Sequence, residues 1–144
     1  MAGPRRGVGL RLAVASSSPS THVGALLDQA GLRARFEVLA TGEEVAAHKP
    51  DPAVYLLALD RLGLPADQAV AFEDTVHGVA AAQAAGLRCV AVPNPHATHA
   101  RFVAADLVLR SAGDLSWTPS WPGWRDTQTS AGRSVGRRRN RQCP

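Results

Sequence analysis

Four short apolar runs, at residues 10–15, 36–40, 69–72 and 88–92, alternate with stretches whose apolar residues recur every three or four positions. Runs of this length suit strands buried on both faces, and the 3.6-residue period suits helices laid over them. Strands separated by helices pair in parallel, because a parallel connection needs a crossover of a dozen or more residues. The expected fold is therefore α/β, a three-layer Rossmann-like parallel sheet with helices on both faces. A short helix at residues 102–105 and a last edge strand at residues 107–109 complete the pattern.

Turn residues place the helices. After the first run come the hydroxyls of residues 16–18 and 20–21, good helix caps, and then Val23, Leu26, Leu27 and Ala30 at helical spacing with Gly31 as the stop. Asp51 as N-cap and Pro52 as first helical residue open the next helix, whose apolar face is Val54, Tyr55, Ala58, Leu59 and Leu62, with Gly63 at its end. Residues 78–85 form an alanine-rich helix closed by Gly86, and such small side chains let a helix lie close to a sheet.

The formal charge of +4 is unevenly placed. Residues 116–144 hold six arginines against Asp126, leaving residues 1–115 close to neutral. Three tryptophans share that tail with proline, glycine and serine, without periodicity. Residues 8–115 are expected to form the α/β core and residues 116–144 a basic, disordered tail. Two cysteines make no disulfide framework, which suits a reducing cytoplasm. The run after Arg5 and Arg6 is broken by Arg11 and is too short for a signal peptide, and no stretch approaches a membrane span.

Three segments could carry chemistry, two at the carboxyl ends of expected strands and one between a polar turn and a helix start. Ser16, with Ser17 beside it, stands where a strand gives way to a helix, a natural place for phosphate oxygens; the plainer reading is helix capping. Lys49, the lone lysine, is bracketed by Pro50 and Pro52 and so restricted, which suits holding a transferring phosphoryl group; the plainer reading is an exposed loop cation. Glu73 and Asp74 follow the third run directly, and adjacent carboxylates offer hard oxygen ligands for Mg²⁺. Asp74 or Thr75 could equally cap the following helix.

Taken together, residues 12–18, the run His48-Lys49-Pro50-Asp51-Pro52 followed by Tyr55-Leu56, and Phe72-Glu73-Asp74-Thr75 with Gly78 and Gly86 resemble the haloacid dehalogenase superfamily, in its β-phosphoglucomutase-like phosphatase and mutase branch. The resemblance covers about residues 8–115. It implies that Ser16 and Ser17 bind phosphoryl oxygens, that Lys49 neutralises their charge, that Asp74 with Glu73 holds Mg²⁺, and that the substrate is a small phosphorylated metabolite.

Two departures qualify it. His48 stands where the family usually has glycine. More consequentially, the family's nucleophilic aspartate and its acid/base aspartate two residues on precede the serine motif, with a cap domain between, and no two aspartates in this chain are two positions apart. The family places that motif on the central strand, so here the strands ending at Ser16 and at Glu73 must either pair directly or stay unpaired. A truncated or misassigned gene start upstream of Met1 would account for the missing strand and cap. The chain is thus expected to be an incomplete phosphatase or phosphomutase, inactive by itself. The alternatives are a non-catalytic remnant binding phosphate or a partner subunit and, last, a nucleic-acid-binding protein acting through the tail.

Overall fold

The computed structural model describes residues 9–94 and 99–114, so the basic tail with its tryptophans lies outside the described residues. In chain order the elements are β1 (Ala13–Ser16), α1 (Ser20–Gln29), β2 (Val38–Thr41), α2 (Ala53–Leu62), β3 (Val70–Glu73), α3 (Val76–Ala84), β4 (Arg88–Ala91) and β5 (Leu107–Val108). The predicted alternation is present, with several strands displaced toward the carboxyl end. The short helix expected at residues 102–105 is instead a 3₁₀ turn at His99–Phe102.

Every ladder is parallel. Ala13 to Ser16 face Val38 to Thr41, Val70 to Glu73 face Arg88 to Ala91, and Val90 and Ala91 face Leu107 and Val108. The strands fall into two sheets, β1-β2 and β3-β4-β5, so β1 and β3 share no ladder among the described residues. Of the two arrangements open to the sequence, direct pairing is the one not adopted.

The core follows from periodicity. Helix α2 packs on β1 and β2 and buries Val54, Tyr55, Ala58, Leu59 and Leu62, the face its spacing predicted. Helix α3 packs on β3 and β4 through Gly78, Val79, Ala81 and Ala82. Its alanines bring it close to the sheet, and Ala81, Ala82, Cys89 and Ala91 are fully enclosed. Burying an aliphatic chain such as Val54 or Val79 contributes about 1.5–3 kcal/mol. Asp106 fastens the far edge: its carboxylate accepts the Cys89 N–H at 2.7 Å and its own N–H donates to the Cys89 carbonyl at 2.9 Å.

Helix α1 departs from expectation. Only Val23 is buried, and Leu26 is 52% exposed. Nor do the serines cap it. Pro19 occupies the N-cap with no side-chain hydrogen bond, and the Ser20 N–H and hydroxyl both donate to Glu43 Oε1. Proline brings no side-chain acceptor, so a carboxylate from the turn after β2 serves instead, with its charge favourably placed at the helix N-terminus. At α2 the N-cap is Pro52 rather than Asp51, so the helix starts one residue later than expected, while the Asp51 carboxylate still accepts from the Ala53 N–H at 2.9 Å.

The turn after β2 is held by a capping box. Glu44 Oε2 accepts from the Thr41 N–H at 2.9 Å and the Thr41 hydroxyl at 2.8 Å, while Oε1 takes Arg61 Nη2 at 2.6 Å. The Arg61 hydrogen bond, followed by those from Thr41, holds the Glu44 carboxyl down to about 2. A carboxyl whose folded pKa lies below its unfolded value, roughly 4.3, stabilises the fold above that value and loses the contribution as pH falls through the folded one. Urea unfolding is therefore expected to show stability falling between about pH 4.5 and pH 2, and Glu44→Gln should flatten that part of the profile.

Candidate active site

The strand shifts decide the geometry. Ser16 and Glu73 are each the last residue of a strand, β1 and β3, rather than the first of a loop. Side chains alternate along a strand, so Glu73 shares its face with Ala71 and is buried, while Phe72 on the opposite face is 44% exposed. Asp74, one residue beyond the strand, is exposed. Two adjacent carboxylates thus meet different environments.

Glu73 is enclosed by donors. Its Oε1 accepts from Lys49 Nζ and from the Tyr55 hydroxyl, and the Thr75 hydroxyl stands 3.5 Å from Oε2. The Lys49 and Glu73 side chains are 13% and 4% exposed. Lys49 Nζ also donates to the Ala15 carbonyl at 3.1 Å and lies 4.9 Å from the centre of the Tyr55 ring. The lysine therefore spans the break between the two sheets, with β1 on one side and β3 on the other. Burial, reinforced by the bond to Glu73, raises the Tyr55 hydroxyl above its ordinary range, so it stays protonated and donates.

Ser16 Oγ accepts the Ser18 N–H at 3.1 Å, which shapes the turn and leaves the hydroxyl proton available to an anion. Ser17 is exposed, and its backbone rests against the turn after β2. A Cβ at Gly42 would fall 2.4 Å from the Ser17 oxygen and 3.1 Å from His48 Nδ1, so only glycine allows this approach. Thr75 caps α3, its hydroxyl accepting the Gly78 N–H at 3.0 Å. Cys89 is buried behind the site; desolvation, with Glu73 and Asp106 adding to it, pushes its thiol up to about 12, too high to act as a nucleophile.

Lys49 and Glu73 thus meet between the carboxyl ends of β1 and β3, with Ser16 ending β1 and Asp74 following β3. Tyr55 is the residue whose part in the site periodicity did not show, since it reads, correctly, as one more member of a buried helix face. Its signal was its hydroxyl: a buried tyrosine needs a hydrogen-bond partner, and this is the only tyrosine in the chain.

The donors present suit a hard cation. Asp74 offers an exposed carboxylate that enters none of these hydrogen bonds, next to a second carboxylate. Among the described residues no group of three or more His, Cys, Asp or Glu converges. Mg²⁺ commonly takes one or two protein carboxylates and fills its remaining positions with water and phosphate oxygens. Among the described residues, too, no helix is long and apolar enough to cross a membrane.

Comparison with known proteins shows the family and the fold. Residues 5–86, more than half the chain, match the model of the haloacid dehalogenase-like hydrolases. Hexitol phosphatase B of Escherichia coli K12 is 39% identical over 109 residues, covering 75% of this chain and 49% of that protein. The crystal structure of CbbY from Rhodobacter sphaeroides in complex with xylulose-(1,5)bisphosphate superposes with a TM-score of 0.71 at 42% identity, over 75% of this chain and 49% of that one. β-Phosphoglucomutase of Clostridium difficile shares the fold, with a TM-score of 0.68 at 22% identity over 75% of this chain and 46% of that one. The chain spans about half the length of these relatives.

Proposed function

Since the chain belongs to the haloacid dehalogenase-like hydrolases, we propose that it binds the phosphoryl group of a small phosphorylated metabolite for Mg²⁺-dependent phosphatase or phosphomutase chemistry, with the attacking carboxylate supplied from outside residues 1–144. The observation that carries this reading is Lys49 held between the Ala15 carbonyl on β1, next to Ser16, and the Glu73 carboxylate on β3, next to Asp74. The similarity to a hexitol phosphatase, and to CbbY in complex with xylulose-(1,5)bisphosphate, supports the substrate class.

In this reading Ser16 and Ser17 hold phosphoryl oxygens, by the Ser16 hydroxyl and the Ser17 N–H. Lys49 offsets the negative charge of the transferring group. Its bonds to Ala15 and Glu73 fix it beforehand, so little reorganisation is needed as charge develops. Asp74 would hold Mg²⁺ with Glu73 behind it, and the ion would supply further neutralisation of the phosphoryl oxygens. No aspartate pair two residues apart occurs in the sequence, and without a nucleophile no phospho-aspartyl intermediate forms. A reducing cytoplasm suits the buried Cys89 thiol.

Purified 1–144 is expected to show no Mg²⁺-dependent turnover of p-nitrophenyl phosphate. Adding an upstream peptide that carries an Asp-x-Asp segment should restore it. Turnover by 1–144 alone that Asp74→Ala or Lys49→Ala abolishes would sink the assignment of the nucleophile to another segment. The break between β1 and β3 favours one other reading, a non-catalytic module that binds a partner through these strand edges. Concentration-dependent association with no rescue of turnover would favour it.

A further inference from the structure

Tyr55 meets the site in two ways. Its ring lies under the Lys49 ammonium, 4.9 Å from ring centre to Nζ, and its hydroxyl donates to Glu73 Oε1, the oxygen that also accepts from Lys49. Filling the core requires only the ring, and phenylalanine would fill the same volume. A buried hydroxyl costs free energy unless it is hydrogen-bonded, and this one spends its proton on the carboxylate that restrains the lysine. Glu73 is the last residue of β3, and rotating its side chain would carry the carboxylate off both donors. With Lys49 and Tyr55 both on Oε1, that rotation would break two hydrogen bonds at once.

We propose that Tyr55 is a positioning residue, whose hydroxyl locks the Glu73 carboxylate so that Lys49 stays fixed between Ala15 and Glu73 at the strand edge. What Lys49 faces there rests on the phosphoryl-site reading above; the lock itself does not.

The chain's composition makes the test specific, because Lys49 is its only lysine and Tyr55 its only tyrosine. Labelling 1–144 with ¹⁵N-lysine yields a single side-chain ammonium resonance, whose hydrogen exchange reports how firmly Lys49 is held. Tyr55→Phe keeps the ring and removes the hydroxyl. The wild-type resonance should be visible, and in Tyr55→Phe the exchange should speed up about tenfold, the factor expected for loss of a hydrogen bond to a charged group. Orthophosphate should also bind about tenfold more weakly to the variant. A wild-type chain with no such resonance, or a resonance exchanging at the same rate in both proteins, overturns the lock. Equal phosphate affinity in both proteins overturns its consequence for the site. If the resonance responds but the wild type binds no phosphate, the lock stands and the phosphoryl-site reading falls. Should Tyr55→Phe not fold, 3-fluorotyrosine incorporated at position 55 keeps the hydroxyl while raising its acidity. It should move the lysine resonance, and an unmoved resonance would count against the lock.

Discussion

Glu73→Ala should cost about 3–5 kcal/mol of folding stability, the range for breaking a buried ion pair by removing one partner. The carboxylate is 4% exposed and its lysine partner 13%, so water can replace little of what is lost. The substitution leaves the Lys49 ammonium with only the Ala15 carbonyl and the Tyr55 ring, and leaves the Tyr55 hydroxyl without its acceptor. Against a total of roughly 5–15 kcal/mol for a domain, that loss could leave the chain unfolded in mild denaturant. Glu73→Gln retains an oxygen acceptor for both donors and should cost less than Glu73→Ala. Urea unfolding of the three proteins would check this. If alanine and glutamine prove equally mild, the carboxylate is not the centre of the buried network.

Gly78→Ala should destabilise by about 1–3 kcal/mol, the cost of overpacking a filled core. Helix propensity predicts the opposite sign, since alanine inside a helix is favoured over glycine by about 1 kcal/mol. Geometry decides between them. A Cβ at Gly78 would lie 1.8 Å from Glu73 Oε2 and 2.0 Å from its carboxyl carbon. A flexible side chain could step aside cheaply, but this one is held by Lys49 and Tyr55 and enclosed by the core. The added methyl must therefore break those bonds or push α3 off β3. Thermal unfolding should show a lower melting temperature for the variant; a higher one would mean that Glu73 moves freely.

Both expectations depend on side-chain direction, where the sequence and the structure part company. The βα alternation, the parallel pairing, and the placing of Ser16 and the acidic pair at the ends of strands were legible in the sequence. Each follows from local features: period-2 or 3.6 spacing, glycine stops, and polar turns after apolar runs. Strand ends were less legible, because a ladder continues until its partner stops offering hydrogen bonds. At β3 one residue of difference carries Glu73 from loop to strand, and the alternation of side chains then turns it inward. The serine turn went the same way. Its hydroxyls resemble caps, yet the acceptor at the helix start is Glu43, more than twenty residues downstream.

The sequence by itself determined the order of elements, the family, and the absence of an aspartate pair two residues apart, because motif order and local periodicity are properties of neighbours along the chain. Only the tertiary structure decided how the acidic pair divides, Glu73 buried as counterion to the lysine and Asp74 left at the surface. It also decided that Lys49 bridges two sheets that share no ladder among the described residues, and that Tyr55 joins them from the helix. Those outcomes rest on contacts between residues 18 to 34 positions apart, and distances of that kind come into being only when the helices close over the strands.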